Sequence, residues 1–248
     1  MSTIKTCRIL GVNIAVTNMA QTVQYIENNL EELRGKYICV SNVHTTVMAH
    51  DNPAYRNVQN SAAIALPDGK PLSVVSRKRG YTEAERVTGP DLMGELFARE
   101  NGLKHFFYGD KEETLQILQQ KLKEKYPDIQ IVGMVSPPFR SLSQEEEKAY
   151  IQQINDSGAD IIWIGLGAPK QENWMYEHQG MFQGVMVGVG AGFSYHAGLI
   201  KRAPEWMQKM SLEWLYRLMQ DPVRLFKRYF TTNLKFLLLE AKDKGEAL

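Results

Sequence analysis

Cysteine is scarce in this chain: Cys7 and Cys39 are the only two, they stand far apart, and neither belongs to a C-x-x-C pair. That spacing suggests neither a disulfide framework nor a zinc cluster and leaves two reduced, buried thiols as the expectation. Net charge is small too. Lys and Arg number 29 against 28 Asp and Glu, a formal +1, which argues against nucleic acid bound through overall charge. No stretch approaches the roughly 20 apolar residues that span a bilayer, and the opening MSTIKTCRILGVNIAV pairs no basic region with a long apolar run. The expectation is a cytoplasmic protein, unless its surface binds a membrane. Metal chemistry lacks its usual residues. There is no Asp-x-Asp pair and no H-E-x-x-H, and His44, His50, His105, His178 and His196 share no ligand spacing, so no metal is expected.

What is present is an ordinary globular composition, 248 residues with a 44% hydrophobic share, enough for one large core. Apolar runs of strand length recur at 37–40, 63–66, 105–108, 129–132, 161–164 and 184–187. They read as buried strands because they are nearly continuous and do not alternate. Helical spacing fills the gaps at roughly 18–34, 44–60, 90–101, 111–126, 143–157 and 170–180, with Asp110 and Ser143 as caps. Strands alternating with helices predict an α/β fold, a Rossmann-like, mainly parallel sheet flanked by helices. From Ala203 onward the strand pattern stops. Pro204 opens one helix and Asp221-Pro222 caps and opens another. Basic residues outnumber acidic ones there, so the chain divides into an α/β domain, 1–200, expected to carry any catalytic site, and a basic helical appendage, 201–248.

Open sheets of this kind bind ligands beyond the carboxyl ends of their strands. Three blocks fall there. Pro67-Asp68-Gly69-Lys70 sets a carboxylate where it can act as a base toward a hydroxyl, although Asp-Gly is also a common turn dipeptide. Gly165-Leu166-Gly167-Ala168-Pro169-Lys170-Gln171-Glu172 leads from a strand into a helix, so glycines, backbone N–H groups and a helix N-terminus make an anion site. Lys170 adds charge and Gln171 an amide. Gly188-Val189-Gly190-Ala191-Gly192 mimics a dinucleotide fingerprint, but its spacing is G-x-G-x-G and no strand follows, which disfavours an oxidoreductase. Arg86 and Thr88 precede a helix, as ligand contacts or as ordinary helix-start residues. In the appendage, Arg217, Arg224 and Arg228 stand among Trp206, Trp214, Tyr216, Phe226, Tyr229 and Phe230. Such a mixture suits an anionic membrane surface or a lipid diphosphate, or else a helix pair that packs its aromatics on the core.

Together these blocks resemble one family. Asn42, Pro67-Asp68-Gly69, Arg86-Val87-Thr88-Gly89-Pro90-Asp91-Leu92, Phe107-Tyr108-Gly109, the Gly165 block through Trp174, and Arg202-Ala203-Pro204 with Leu212-Glu213-Trp214-Leu215-Tyr216-Arg217 keep the order of the WecG/TagA/CpsF glycosyltransferases, glycosyltransferase family 26. The likeness runs from about Leu10 to about Tyr229. It implies an inverting, metal-independent transfer of N-acetylmannosamine or a related hexose or uronic acid. The donor is a UDP-sugar and the acceptor a lipid-linked hydroxyl such as N-acetylglucosaminyl-diphospho-undecaprenol, in wall teichoic acid or surface polysaccharide synthesis. No cofactor is implied. The place of action is the cytoplasmic side of the plasma membrane, bound peripherally, and self-association into a homo-oligomer stays open. By the same resemblance Asp68 is the general base. Asn42, Ser41, Arg86, Gly109, Gly167, Lys170, Gln171 and Ser194 line the substrate pocket, and Arg217, Arg224 and Arg228 engage the diphosphate. Two positions depart from the pattern: Ser194 replaces a common Asp, and Val40 a common Thr, with Ser41 beside it. A non-catalytic nucleotide-sugar-binding module is the alternative.

Overall fold

The computed structural model describes residues 4–99, 101–204, 206–207, 213–220 and 222–243, apart from the side chains of residues 217, 223–225 and 227–229. Eight strands form one sheet in the order β1-β2-β4-β3-β8-β7-β5-β6. They are β1 (Thr6–Ile9), β2 (Val12–Ala15), β3 (Tyr37–Ser41), β4 (Ile64–Pro67), β5 (Lys104–Gly109), β6 (Gln130–Val135), β7 (Ile161–Gly165) and β8 (Val185–Gly188). Only β1 runs antiparallel, paired to β2 through a two-residue turn in which Leu10 and Gly11 both have positive φ, 48° and 87°. This twist suits a right-twisted hairpin. The six expected strands are all present. The hairpin was not anticipated, because its four-residue strands, with two exposed positions in β1 and one in β2, leave no continuous apolar run.

The helices are α1 (Met19–Asn28), α2 (Leu30–Leu33), α3 (Val43–Asp51), α4 (Pro53–Ser61), α5 (Lys70–Lys78), α6 (Gly89–Phe97), α7 (Glu112–Lys125), α8 (Gln144–Asp156), α9 (Lys170–Glu177), α10 (Gly192–His196), α11 (Glu213–Gln220) and α12 (Pro222–Glu240). Two expected helices are each broken in two. The 44–60 segment parts at Asn52-Pro53: proline cannot continue α3, and Asn52 turns extended and caps α4 at Ala54 N (3.0 Å) and Tyr55 N (3.3 Å). The 18–34 segment parts at Asn29, whose backbone leaves the helical region. Ser143 does cap α8, in a capping box with Glu146. Asp110 does not cap α7; that position is Lys111, which makes no side-chain cap bond.

Residues on the two faces of strands β2 to β8 feed two separate cores, while β1 contributes only to the first. One joins the sheet to α3, α4, α5, α8 and α9, the other to α1, α2, α6, α7 and α10. Strand β3 therefore exits toward the first face and its neighbour β8 toward the second, which opens a crevice at their carboxyl ends. Beyond the sheet, Trp206 and Met207 are helical, and Met207 N bonds to Pro204 O at 2.9 Å. Pro222 is the first residue of α12, while Asp221 lies outside the described residues. Helix α12 lies on α3, with Phe236 buried and Lys235 Nζ 2.7 Å from Asp51 Oδ2. Asp243 then accepts from Leu10 N at 3.0 Å and from Arg79 at 3.2 Å, tying the end of the described chain to the hairpin.

Candidate functional site

Five neighbouring strands, β4, β3, β8, β7 and β5, end side by side. At about 4.8 Å between strands, the residues that follow them line an edge about 19 Å long. Asp68 follows β4, Asn42 β3, Val189 and Gly190 β8, Leu166 and Gly167 β7, and Asp110 β5.

Asp68 is half-buried, and its N–H donates to Ser41 O at 2.8 Å, which draws the ends of β4 and β3 together. Gly69 has φ −83° and caps α5, so this dipeptide does not use the left-handed freedom that makes Asp-Gly a turn signal. Val87 N bonds to Pro67 O at 2.8 Å, bringing the Arg86 segment to the same strand end. Asn42 caps α3: its Oδ1 accepts from His44 N at 3.0 Å and Thr45 N at 3.2 Å.

Arg86 forms an ion pair with Glu213 of α11, and Arg202 pairs with Asp91 Oδ1 at 2.5 Å. Burial would raise the Asp91 carboxyl, but the bonds from Arg202 and Thr88 outweigh it and hold it below its ordinary range. The first pair brings the appendage against the loop before α6 and the second against the first turn of α6. Lys170 is exposed at the first position of α9. The side chains of Arg217, Arg224 and Arg228 lie outside the described residues.

Under the crevice runs a buried hydrogen-bond chain that the sequence did not reveal. Ser41, 1% exposed, donates its hydroxyl to Gln59 Oε1 at 2.6 Å, and Gln59 Nε2 donates to Tyr55 Oη at 2.9 Å. The Tyr55 hydroxyl in turn lies beside the Glu172 carboxyl and interacts with it. From the other side, Gln171 Nε2 donates to Glu172 Oε1 at 2.8 Å. Gln171 Oε1 accepts from Gly167 N at 3.2 Å and from Gly190 N at 3.0 Å. The amide of Gln171 thus braces the β7 and β8 loops against each other, and both glycines have positive φ, 77° and 53°. Glu172 is 1% exposed and its Oε2 has no partner, so burial pushes its carboxyl up despite the bond from Gln171 and the Tyr55 hydroxyl beside it. The only sequence signal for this chain is spacing: Tyr55 and Gln59 share one face of α4, and Glu172 sits one turn before buried Met175.

At the far end of the edge, Gly109 has φ 129°, and a Cβ there would stand 2.6 Å from the Gly165 carbonyl carbon. Only glycine lets β5 and β7 end this closely. Ser194, on α10, donates its hydroxyl to Asp110 Oδ2 at 3.2 Å.

A family model, Glycosyl transferase WecG/TagA/CpsF family, matches residues 7–247. Among curated relatives, a protein of Bacillus spizizenii is 29% identical over 235 residues, covering 91% of this chain and 90% of its own length. A Bacillus subtilis protein is 29% identical over 234 residues, covering 93% and 89%. One from Staphylococcus aureus strain MW2 is 29% identical over 241 residues, covering 95% and 93%. All three are named N-acetylglucosaminyldiphosphoundecaprenol N-acetyl-beta-D-mannosaminyltransferase.

Proposed function

The chain belongs to the WecG/TagA/CpsF family of glycosyl transferases, and from that premise we propose that it moves N-acetylmannosamine, or a related hexose or uronic acid, from a UDP donor to a lipid-linked hydroxyl. The acceptor is of the N-acetylglucosaminyl-diphospho-undecaprenol type that the relatives' names carry. The observation that carries the reading is the edge itself. A carboxylate at the end of β4 shares one crevice with braced glycine loops and a helix N-terminus two and three strands away. In this reading Asp68 takes the proton of the acceptor hydroxyl as its oxygen attacks the anomeric carbon from the face opposite UDP, which inverts the centre. The diphosphate leaves with its charge held by Lys170, the α9 N-terminus and the appendage arginines, and no metal takes part.

The lipid side of the proposal rests on the appendage. Trp206, Trp214, Phe226, Phe230, Leu237 and Leu238 are all exposed. Among the described residues no helix is long and apolar enough to cross a membrane. A surface of this kind supports peripheral binding at the inner face of the plasma membrane, with aromatics in the headgroup layer. The deciding experiment incubates the protein with a panel of UDP-sugars and a short-chain lipid diphosphate acceptor and reads the product by mass spectrometry. A disaccharide lipid with UDP released is expected; UDP-sugar binding with no turnover on any acceptor would overturn the enzyme in favour of a binding module.

A further inference from the structure

Asp110 is held in a conformation that its neighbours impose. Its φ is 58°, and among the described residues only Leu10, in the hairpin turn, is another non-glycine with positive φ. Asp tolerates this region better than most residues but still at a cost, and such outliers persist only where the surroundings over-determine them. Here three elements do so. Asp110 N donates to Gly165 O at 3.1 Å, Ser136 Oγ donates to Asp110 O at 2.8 Å, and Ser194 Oγ donates to Asp110 Oδ2 at 3.2 Å. Its Oδ1 accepts from Lys111 N at 2.8 Å. The outcome is a half-buried carboxylate fixed at the end of β5, flush against the β7 end that opens the Gly167 loop.

Helix capping does not account for it, since Lys111 holds the cap position of α7. A carboxylate offers about four acceptor sites, and two here are taken. Doubly wound folds that place a diphosphate on a glycine loop use an acid at a neighbouring strand end to accept from the ribose hydroxyls. The β7 loop and Asp110 share the adjacency of that arrangement, although here the acid precedes the loop in the chain and the two strands exit to opposite faces.

We infer that Asp110, steadied by Ser194, accepts hydrogen bonds from the ribose hydroxyls of the donor nucleotide and so fixes the nucleoside at the β5 end of the crevice, four strands from Asp68. This rests on the reading of the donor as a nucleoside diphosphate sugar. The same pairing gives the serine at position 194 a role, since its hydroxyl orients the carboxylate.

The test is a ligand-deletion cycle. UDP and 2′,3′-dideoxy-UDP are titrated calorimetrically into the full chain and into Asp110→Gly. Glycine suits φ 58° without strain, so this variant keeps its backbone, and its melting temperature checks that it does. The wild type is expected to prefer UDP over the dideoxy analogue by on the order of 10- to 100-fold, as for hydrogen bonds to a charged group. Asp110→Gly is expected to lose UDP affinity by the same factor and to show no preference. Wild-type UDP affinity in a folded Asp110→Gly, or a preserved preference, overturns the inference and leaves the glycosyl-transfer reading standing. No UDP binding by the wild type overturns the UDP-donor reading itself, and the ribose contact with it.

Discussion

Replacing Gln171 with Leu removes the brace between the β7 and β8 loops, and its cost can be worked from the bonds lost. Three are lost: two backbone N–H groups lose Oε1, and Glu172 Oε1 loses its amide donor. An orphaned buried polar group costs about 1–3 kcal/mol. Gly167 and Gly190 are only half-buried, so water can replace Oε1 at modest cost. Glu172 is 1% exposed and already has one oxygen without a partner, so its loss is not made good. The sum is about 2 kcal/mol, a fall of about 4–8 °C in melting temperature for a domain of this size. Glu172→Leu alone orphans Gln171 Nε2 and should cost about as much, while the Tyr55 hydroxyl keeps its bond from Gln59. The double variant removes both partners of the central bond, so it should recover about 1–2 kcal/mol of the summed loss. Calorimetric melting of the four proteins gives the coupling. Strict additivity, or a Gln171→Leu protein that melts with the wild type, refutes the brace.

Three further outcomes follow from the geometry. Asp68→Asn should lower turnover by about 10²–10⁴-fold with donor affinity little changed, and near-normal turnover would remove Asp68 as the base. His105 is buried, accepts from Trp163 Nε1 at 3.2 Å and has its pKa lowered by burial from 6.5 to about 4. A depressed folded value means the neutral ring stabilises the fold above pH 6.5, and this is lost as pH falls toward 4. Between pH 7 and pH 5 urea unfolding should report a loss of about 2 kcal/mol from this group, absent in His105→Gln. Gly109→Ala should strain φ 129° and drive a methyl to 2.6 Å from the Gly165 carbonyl carbon. A cost of about 3 kcal/mol or more, seen as a melting drop above about 6 °C, is expected.

The sheet was legible because its inner strands are buried on both faces and write themselves as unbroken apolar runs, as Ile161-Ile162-Trp163-Ile164 does. The strand-end rule then pointed to Asp68 and the Gly165 loop, which the structure does put at the carboxyl ends of β4 and β7, without any contact information. Other features were not legible, for local reasons. The hairpin strands alternate and are short, α5 and α10 begin among glycines and prolines that read as loop, and Asp110 carries the residue type of a cap without serving as one. The buried chain from Ser41 to Gln171 joins residues more than a hundred positions apart, and nothing in a linear reading pairs Tyr55 with Glu172. Gln171 shows the limit most clearly. Its motif marks it as a pocket residue, and the structure places it 3% exposed with its amide committed to two loops and a carboxyl.

In the proposed transfer, that placement changes where the charge of a departing diphosphate would have to be met. Gly167, whose N–H belongs to the anion cradle that the sequence offers, already donates it to Gln171 Oε1, as does Gly190 on the neighbouring β8 loop. Leaving-group stabilisation therefore falls on the first turn of α9, on Lys170 and on arginines. Of these, Arg86 and Arg202 already face Glu213 and Asp91. An anion can recruit either arginine only by competing with a half-buried carboxylate, which costs far more than displacing a solvated one. The glycine loops, on this argument, shape the crevice, while its positive charge comes from the α9 N-terminus and from the appendage side of the site.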